Sequence, residues 1–584
     1  MKIVLAAINA KYIHANLAVC SLRAFSDEYK EQIQIKEYTI NQYTEDILAD
    51  LYKEKADMVA FSCYIWNMGM VEELTELLHQ IRPDMPIWFG GPEVSYDAAE
   101  CLERNPGVTG VIRGEGEETF HELMQYYIDG SGKLEDIRGI VYRENGQLVD
   151  NGWREVMDLN KVPFVYEDMN DFKNKIIYYE TSRGCPFSCS YCLSSVDKKV
   201  RLRDMSIVEK ELQFFIDHEV PQVKFVDRTF NCSKEHAMAI WRYLAAHDNG
   251  VTNFHFELTA HLIDQEMIDF LATVRPGLFQ FEIGVQSTNP DTIREIRRTT
   301  DTQKLLAICR ELDRPKNIHL HLDLIAGLPF EDLASFGRSF DTVMQIRPQQ
   351  MQLGFLKVLK GSYMEQAAPS YGLEYSRRPP FQVIRTRWIS FDDLLLLRDM
   401  ENAVEDYYNS SLFPAQISWM LDQEESAFSF FMDLGQFLVQ RGLRLLPQSP
   451  EDRCTNLKDF YLTRHPDHTG QLPLLHDLCL FDLCLHGRPR KLPDWVSTAH
   501  NLPFQKQLQE LLHSDERLGE LLCDPVEGGS KQLAKSLHPQ VFAFDPRTGC
   551  AGPVALLFDY RHRDLLGAAR CVEIKDEIFS PNNR

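Results

Sequence analysis

Tyr179-Glu180-Thr181-Ser182-Arg183-Gly184-Cys185-Pro186-Phe187-Ser188-Cys189-Ser190-Tyr191-Cys192 sets three cysteines in a CxxxCxxC spacing directly after a strand candidate, Ile176 to Thr181. Three thiolates bind three corners of a 4Fe-4S cluster, whereas four would close it, so this set leaves one iron with an open position. A structural zinc site wants four protein ligands, and no further cysteine or histidine adjoins the loop. The stretch therefore reads as a strand-end loop built for a cluster that does chemistry.

Outward from that loop, the chain alternates. Downstream strand candidates are Gln222 to Val226, Asn253 to Leu258, Leu278 to Gln286, Ile318 to Ile325 and Gln350 to Leu356. Helical stretches lie between them, among them Ser206 to His218, Lys234 to His247, Asp264 to Val274 and Asp301 to Leu312. With Ile176 to Thr181 these make six βα-type units, which predict a partial (β/α)6 barrel whose chemistry sits at the strand carboxyl ends.

Upstream, Leu159-Asn160-Lys161-Val162-Pro163-Phe164 breaks the pattern with a proline, and a second alternating series precedes it. Lys2 to Ile8, Ile33 to Ile40, Met58 to Trp66, Pro86 to Phe89 and Val108 to Ile112 read as strands, with helical patterns such as Val71 to Ile81 between them. This is a parallel α/β, Rossmann-like layout. In such a sheet the carboxyl ends of the strands form the ligand crevice. Four loops should therefore converge: Asn9 to Tyr12, Ser62 to Trp66, Gly90-Gly91-Pro92-Glu93 and Gly114-Glu115-Gly116-Glu117. No GxGxxG fingerprint is present, which argues against NAD or FAD. Beyond Tyr375 the alternation weakens into helices at Phe391 to Tyr408 and Leu472 to Leu485, with late strands at Val541 to Phe544 and Val554 to Tyr560, an α+β domain.

The remaining composition bounds the function. At 584 residues, with 44% hydrophobic and 25% charged, the chain is globular and has two to four domains. Its 86 acidic against 62 basic side chains, a formal charge of -24, oppose an extensive nucleic-acid surface. The amino-terminal apolar run is interrupted by Asn9 and Lys11 before a signal peptide or membrane span could form. The expectation is a soluble, cytoplasmic protein with no membrane partner, whose fourteen cysteines are reduced thiols or metal ligands.

The cysteine loop resembles that of the radical S-adenosylmethionine (radical SAM) enzymes, and the resemblance covers the six βα units, residues 175–375. In that family the open iron chelates the amino and carboxylate groups of S-adenosylmethionine, and an electron from the cluster cleaves the sulfonium to a 5'-deoxyadenosyl radical. Cys185, Cys189 and Cys192 match the metal ligands one for one and are the implied catalytic set. Glu257 sits where a polar side chain often reaches the ribose, and Gln286 and Ser287, in Gly284-Val285-Gln286-Ser287, resemble the strand end that contacts the nucleoside. Many members place Gly-Gly-Glu after the second strand to hold the methionyl amine. Here the run is Phe225-Val226-Asp227-Arg228-Thr229-Phe230, and Asp227 is the candidate acceptor.

Residues 1–150, joined by a linker over 151–174, look like the cobalamin-binding domain of the B12-dependent radical SAM enzymes. The whole arrangement is similar to a branch with an additional carboxyl-terminal domain of unknown function, here 376–584, expected to cap the substrate pocket. The resemblance implies that Ser62, Gly90, Gly91 and Gly114 border the corrin, that Tyr12, Tyr64 and Trp66 offer aromatic surface, and that Glu93, Glu115 and Glu117 bond its amides or hydroxyls. A DxHxxG motif, which supplies an axial histidine in many B12 enzymes, is absent, and His14 reads as a helix-start residue. Methylthiotransferases carry three further amino-terminal cysteines, but Cys20, Cys63 and Cys101 read here as buried small hydrophobes. Cys479, Cys484 and His486 with His465, His468 and His476 invite a metal site, but Leu474, Leu478, Phe481 and Leu485 recur at helical spacing and leave the cysteines near an apolar face, so none is expected there.

The implied cofactors are a 4Fe-4S cluster, S-adenosylmethionine and cobalamin, with a low-potential electron donor such as a flavodoxin or ferredoxin as partner. The leading expectation is methyl transfer to an unactivated carbon of an unidentified substrate. A radical cyclase, oxidase or rearrangement enzyme is the enzymatic alternative, and a non-catalytic cobalamin or redox sensor the other.

Overall fold

The computed structural model describes residues 1–444, 446–523, 535–564 and 566–574. They form two compact units: Met1–Leu333 with Gly354–Phe391, and Ala334–Leu353 with Asp392–Arg584.

The first unit begins with strands β1 (Ile3–Asn9), β2 (Ile33–Thr39), β3 (Met58–Ser62), β4 (Ile87–Gly90) and β5 (Gly110–Ile112). Between and after them run α1 (Leu17–Phe25), α2 (Thr44–Lys53), α3 (Met68–Ile81), α4 (Ala98–Arg104) and α5 (Glu117–Met124). A hairpin, β6 (Ile140–Glu144) and β7 (Gln147–Asp150), completes a sheet of order β2-β1-β3-β4-β5-β6-β7. The first five strands are parallel, while β6 runs antiparallel to both β5 and β7. The hairpin turns at Asn145-Gly146 between Ile140-Val141-Tyr142 and Leu148-Val149, the pairing of a two-residue turn with flanking apolar runs that favours a hairpin.

Alternation explains why β1 is apolar throughout. Val4, Ala6 and Ile8 enter one core with residues of α2, α3 and α4, while Ile3, Leu5 and Ala7 enter a second with residues of α1 and α5. A strand covered on both faces has no polar side to show. Because β1 lies between β2 and β3, the strand order reverses there, and the β1 and β3 loops flank the switch point where doubly wound sheets bind ligands.

The barrel strands are β8 (Ile177–Tyr179), β11 (Gln222–Phe225), β12 (Asn253–Leu258), β13 (Phe279–Gln286), β14 (His319–Ala326) and β15 (Gln350–Phe355). A two-residue ladder of β9 (Ser182–Arg183) and β10 (Arg201–Leu202) encloses the cysteine loop. The main sheet order, β15-β14-β13-β12-β11-β8, follows the chain without reversal, as a partial barrel requires. Helices α6 (Met205–Asp217), α7 (Lys234–Ala246), α8 (Gln265–Leu271), α9 (Pro290–Glu295) and α10 (Thr302–Asp313) connect the strands. Ser233, Asp264 and Asp301 cap α7, α8 and α10 by accepting the N–H of His236, Met267 and Lys304. Outward-facing Phe256, Phe279 and Phe281 pack on Trp241 of α7.

The linker is packed rather than loose. Arg203 donates to Val162 O at 3.0 Å, and Phe164 and Tyr166 stack edgewise on Phe215 and its neighbours.

The second unit is helical, then β. Its helices include Pro414–Leu421, Ala427–Gln440, Pro450–Arg464 and Leu472–His486, and its strands, Leu537–Phe544, Ala551–Arg563 and Ala569–Glu573, form one antiparallel sheet. Among the described residues, no helix is long and apolar enough to cross a membrane.

Candidate functional site

Glycine 184 decides how the cysteine loop leaves β9. Its φ is +90°, and a Cβ there would lie 2.4 Å from Lys199 O, so only a residue without a side chain fits. The turn lets Cys185 N–H donate to Asp197 O at 3.0 Å, and Cys192 N–H bonds Cys189 O at 3.2 Å. Ser190 N–H bonds Ile296 O at 2.9 Å, tying the loop to the end of α9.

All three cysteines line one cavity of about 210 Å³ at the carboxyl ends of β11 to β14. Its walls include Arg228, Thr229, Glu257, Glu282, Gln286, Arg298 and Asp323. Cys185 Sγ lies 3.5 Å from Thr229 Oγ1. Among the described residues lining it there is no fourth cysteine and no histidine, so the donor set suits a cluster held at three corners. Cys232, which drew no attention in the sequence, is close enough to Cys185 for their charges to interact but does not line the cavity.

Arg298 is half-buried beside the loop, donating to Tyr191 OH at 3.2 Å and Gly284 O at 2.7 Å. Burial pushes the Cys189 thiol up, and this guanidinium opposes the shift. Nothing in the sequence pattern marked Arg298, which meets the loop from 107 residues away.

Glu257 lines the cavity as expected, and burial pushes its carboxyl up to about 7, with Arg228 opposing and Glu282 reinforcing the shift. Gln286 also lines it, held at φ +71°, a left-handed conformation costly for a side-chain-bearing residue. Two other candidates lie elsewhere. Asp227 is fully buried and does not line the cavity. One of its carboxylate oxygens accepts Thr181 N–H at 2.8 Å, and the other accepts the Thr181 hydroxyl and Ser182 Oγ, the latter at 2.9 Å. It fixes the chain between β8 and β9. Ser287 is also buried, donating to Glu331 at 2.5 Å and accepting Asn289 N–H.

Inward residues of the strands, Glu282 and Asp323 of the cavity wall among them, pair with one another. Lys224 lies 3.0 Å and His255 3.1 Å from the same oxygen of Glu282, and His321 lies 3.1 Å from Asp323. Burial would raise the Glu282 carboxyl, but His255 and Lys224 overcome it and hold it well below the usual range.

The aromatic candidates lie on the amino-terminal strand-end loops. Tyr64 and Trp66 stack with ring centroids 4.4 Å apart and planes within 10°, while Trp66 Nε1 donates to Ile8 O. Trp66 is 43% exposed and Tyr12 72%, an aromatic surface beside the switch point. Burial pushes the Tyr64 hydroxyl up, and the charge of Arg228 opposes it. Gly91, at φ +119°, presses on Cys63, whose carbonyl oxygen a Cβ would meet at 2.5 Å. Ser62 accepts from Asn16 at 3.2 Å, Gly90 pairs with Ser62 and Ile112 in the sheet, and Gly114 N–H bonds Ser95.

The acidic candidates are engaged. Glu93 lies 2.9 Å from Lys360, Glu115 2.6 Å from Arg201 and Glu117 2.6 Å from Arg183. His14 bonds Tyr178 OH at 2.5 Å, joining the amino-terminal domain to the barrel rather than standing free at a crevice. Cys63 and Cys101 lie in an apolar core, and burial pushes Cys101 and Cys20 up to about 12. In the second unit, His476 is bonded to Asp477 through Nδ1 and to Ser497 N–H through Nε2, which leaves neither nitrogen for a metal.

Three sequence-family models match: B12 binding domain over residues 3–124, Radical SAM superfamily over 179–343, and Protein of unknown function (DUF4080) over 369–551. A 2-(S-pantetheinyl)-carbapenam-3-carboxylate methyltransferase from Streptantibioticus cattleyicolor is 25% identical over 311 residues, 50% of this chain and 45% of that protein. An anaerobic magnesium-protoporphyrin IX monomethyl ester cyclase from Synechocystis is 24% identical over 246 residues, 40% of this chain and 48% of the relative. The chain thus spans just under half the length of these relatives. The fold resembles that of the cobalamin-dependent S-adenosylmethionine radical enzyme OxsB, with a TM-score of 0.57 at 15% identity, covering 91% of this chain and 83% of that one.

Proposed function

We propose, from the premise that this chain belongs to the cobalamin-binding radical SAM family, in the branch that carries the DUF4080 domain, that it is a methyltransferase acting on an unactivated carbon. The observation that carries this reading is the cavity lined by all three cysteines, in a chain whose residues 3–124 match the B12 binding domain model. A cobalamin brought to face that cavity would let a substrate lose hydrogen on one side and accept a methyl group on the other.

Cys185, Cys189 and Cys192 would hold a 4Fe-4S cluster with S-adenosylmethionine on its open iron, and Tyr12, Tyr64, Trp66, Gly90 and Gly91 would border a cobalamin. Together these groups supply radical formation, fed by one electron from an external low-potential donor, and methyl transfer. The chain's own residues prepare the site. Arg298 brings positive charge beside the thiolates and, through Tyr191 and Gly284, holds the loop against β13. Glu257, with its carboxyl near neutrality, can donate or accept a hydrogen bond at a ribose hydroxyl. Gln286 supplies a side-chain amide at the same wall, and its Oε1 is buried without a partner. Glu93 and Glu115, each paired with a cation, support the corrin loops instead of bonding the cofactor.

The test is anaerobic incubation of reconstituted protein with cell extract and methyl-labelled S-adenosylmethionine. Label in a carbon of a small-molecule product, with 5'-deoxyadenosine formed alongside, supports the reading. Deoxyadenosine with an altered but unlabelled product would favour the cyclase-like alternative, to which the Synechocystis relative points.

A further inference from the structure

Two arginines bracket the cysteine loop. Arg183 ends β9 immediately before Gly184, Arg201 opens β10, and the two are direct partners in the ladder that closes the loop. Each divides its guanidinium between a carboxylate of its own segment and one from the amino-terminal domain. Arg183 lies 2.9 Å from Glu180 and 2.6 Å from Glu117, and Arg201 lies 2.9 Å from Asp197 and 2.6 Å from Glu115. Arg201 grips Glu115 with both terminal nitrogens, the second at 3.0 Å, and Arg183 adds a longer contact to Glu115 at 3.6 Å. Met157 closes the set: its N–H donates to Glu115 and its carbonyl accepts from Arg201, each at 3.0 Å.

These groups are largely out of water. Side-chain exposure is 6% for Glu117, 10% for Arg201, 17% for Arg183 and 21% for Glu115. Glu117 opens α5, where the helix dipole favours its charge. A forked, charge-assisted contact of this kind fixes orientation as well as energy. A two-residue ladder with like charges face to face is by itself a weak closure for a loop, and the carboxylates are what offset that repulsion.

We propose that Arg183, Arg201, Glu115 and Glu117 form a latch that makes the conformation of the cysteine loop depend on the amino-terminal loop after β5 being seated against it. They are positioning residues: the latch sets the loop's register relative to the cobalamin domain, so that the two centres address one substrate. This role rests on the methyltransferase reading only in its purpose, since the latch itself is a property of the chain.

The test is hydrogen exchange on the full-length reconstituted protein and on Glu117→Gln, Arg183→Gln, Arg183→Lys and the Glu117→Gln/Arg183→Gln double variant. Glu117→Gln, far from the loop in sequence, should speed exchange of the Cys185 and Cys192 amides about tenfold, the effect of losing one charged hydrogen bond, while β12 amides stay unchanged. The double variant should match Arg183→Gln, which already removes the Glu117 contact along with those to Glu180 and Glu115, and Arg183→Lys, a point charge that reaches fewer of these carboxylates, should restore only part of the protection. Cobalamin added to the wild-type protein should slow loop exchange further, and Glu117→Gln should lose that response. Loop amides unmoved by Glu117→Gln, or effects that add in the double variant, would overturn the latch. Uniform speeding across β12 would also count against it, as general loosening. Failure of the wild-type protein to bind cobalamin, seen in its visible spectrum, would instead sink the proposed function while leaving the Glu117→Gln result to judge the latch.

Discussion

The parallel part of the amino-terminal sheet and the barrel sheet are built by the same strand-helix alternation and carry opposite interiors. In the amino-terminal sheet, β1 and β3 send apolar side chains to both faces, so its chemistry is confined to the loops beyond the strand ends. In the barrel, outward positions are apolar, Phe254 and Phe256, Phe279 and Phe281, Leu320 and Leu322, while the inward ones are His255 and Glu257, Gln280 and Glu282, His321 and Asp323. A sheet packed on both sides can present a ligand only with its edges, whereas one curled around a lumen can use its walls.

The largest effect expected from this contrast is at the loop both sheets serve. Alanine at Cys185, Cys189 and Cys192 together should abolish bound iron and its visible absorbance, along with any spectral change on adding S-adenosylmethionine, yet leave thermal unfolding cooperative. A triple variant with full iron content would refute the ligand assignment. Next, Phe89→Ala in β4 removes a fully buried ring between apolar layers and should cost about 3–5 kcal/mol in denaturant unfolding, with the cavity residues untouched. Lys224→Met, inside the barrel, should cost less, about 1.5–3 kcal/mol, because it strips Glu282 of one charged partner while His255 remains. Equal costs for the two would mean that the lumen is packed as a hydrophobic core is, and the contrast would fail.

How much of this was legible follows from what is local. The cysteine spacing, the apolar run of β1 and the bounds of β12 are carried by neighbouring residues, and the structure reproduces them. Asp227 stands beside the cavity-lining Arg228 in sequence, yet its carboxylate turns to Thr181 and Ser182, 46 and 45 residues away. Glu115 and Glu117 look like free ligand groups until Arg201 and Arg183 arrive from 86 and 66 residues downstream. Arg298 was missed because its partners are distant in sequence, whereas the β6–β7 hairpin was legible in Asn145-Gly146 between its apolar runs and was overlooked. A single sequence shows which groups are reactive, but which of them a distant partner has already engaged appears only after folding.

Glu257 sharpens the contrast furthest. Burial raises its carboxyl from 4.5 to about 7, with Arg228 opposing and Glu282 reinforcing. The folded protein therefore keeps this proton over a range in which the unfolded chain has already released it, so ionisation works against folding as pH rises from about 4.5 through about 7. In Glu257→Gln there is no proton to lose. Without cofactors, the wild-type and variant proteins should differ least at the acid end of that window, and the variant should become progressively the more stable toward neutrality, the difference levelling off above about 7. Urea midpoints measured across the window would show it, and a difference that stays flat with pH would mean that the carboxyl titrates normally and that the lumen is wetter than its burial implies. The β1 and β3 walls of the amino-terminal sheet hold no titratable carboxylate, so substitutions there should shift stability by an amount independent of pH. A pH-dependent loss is thus the signature of a wall that does chemistry, and a constant one that of a wall that only supports loops.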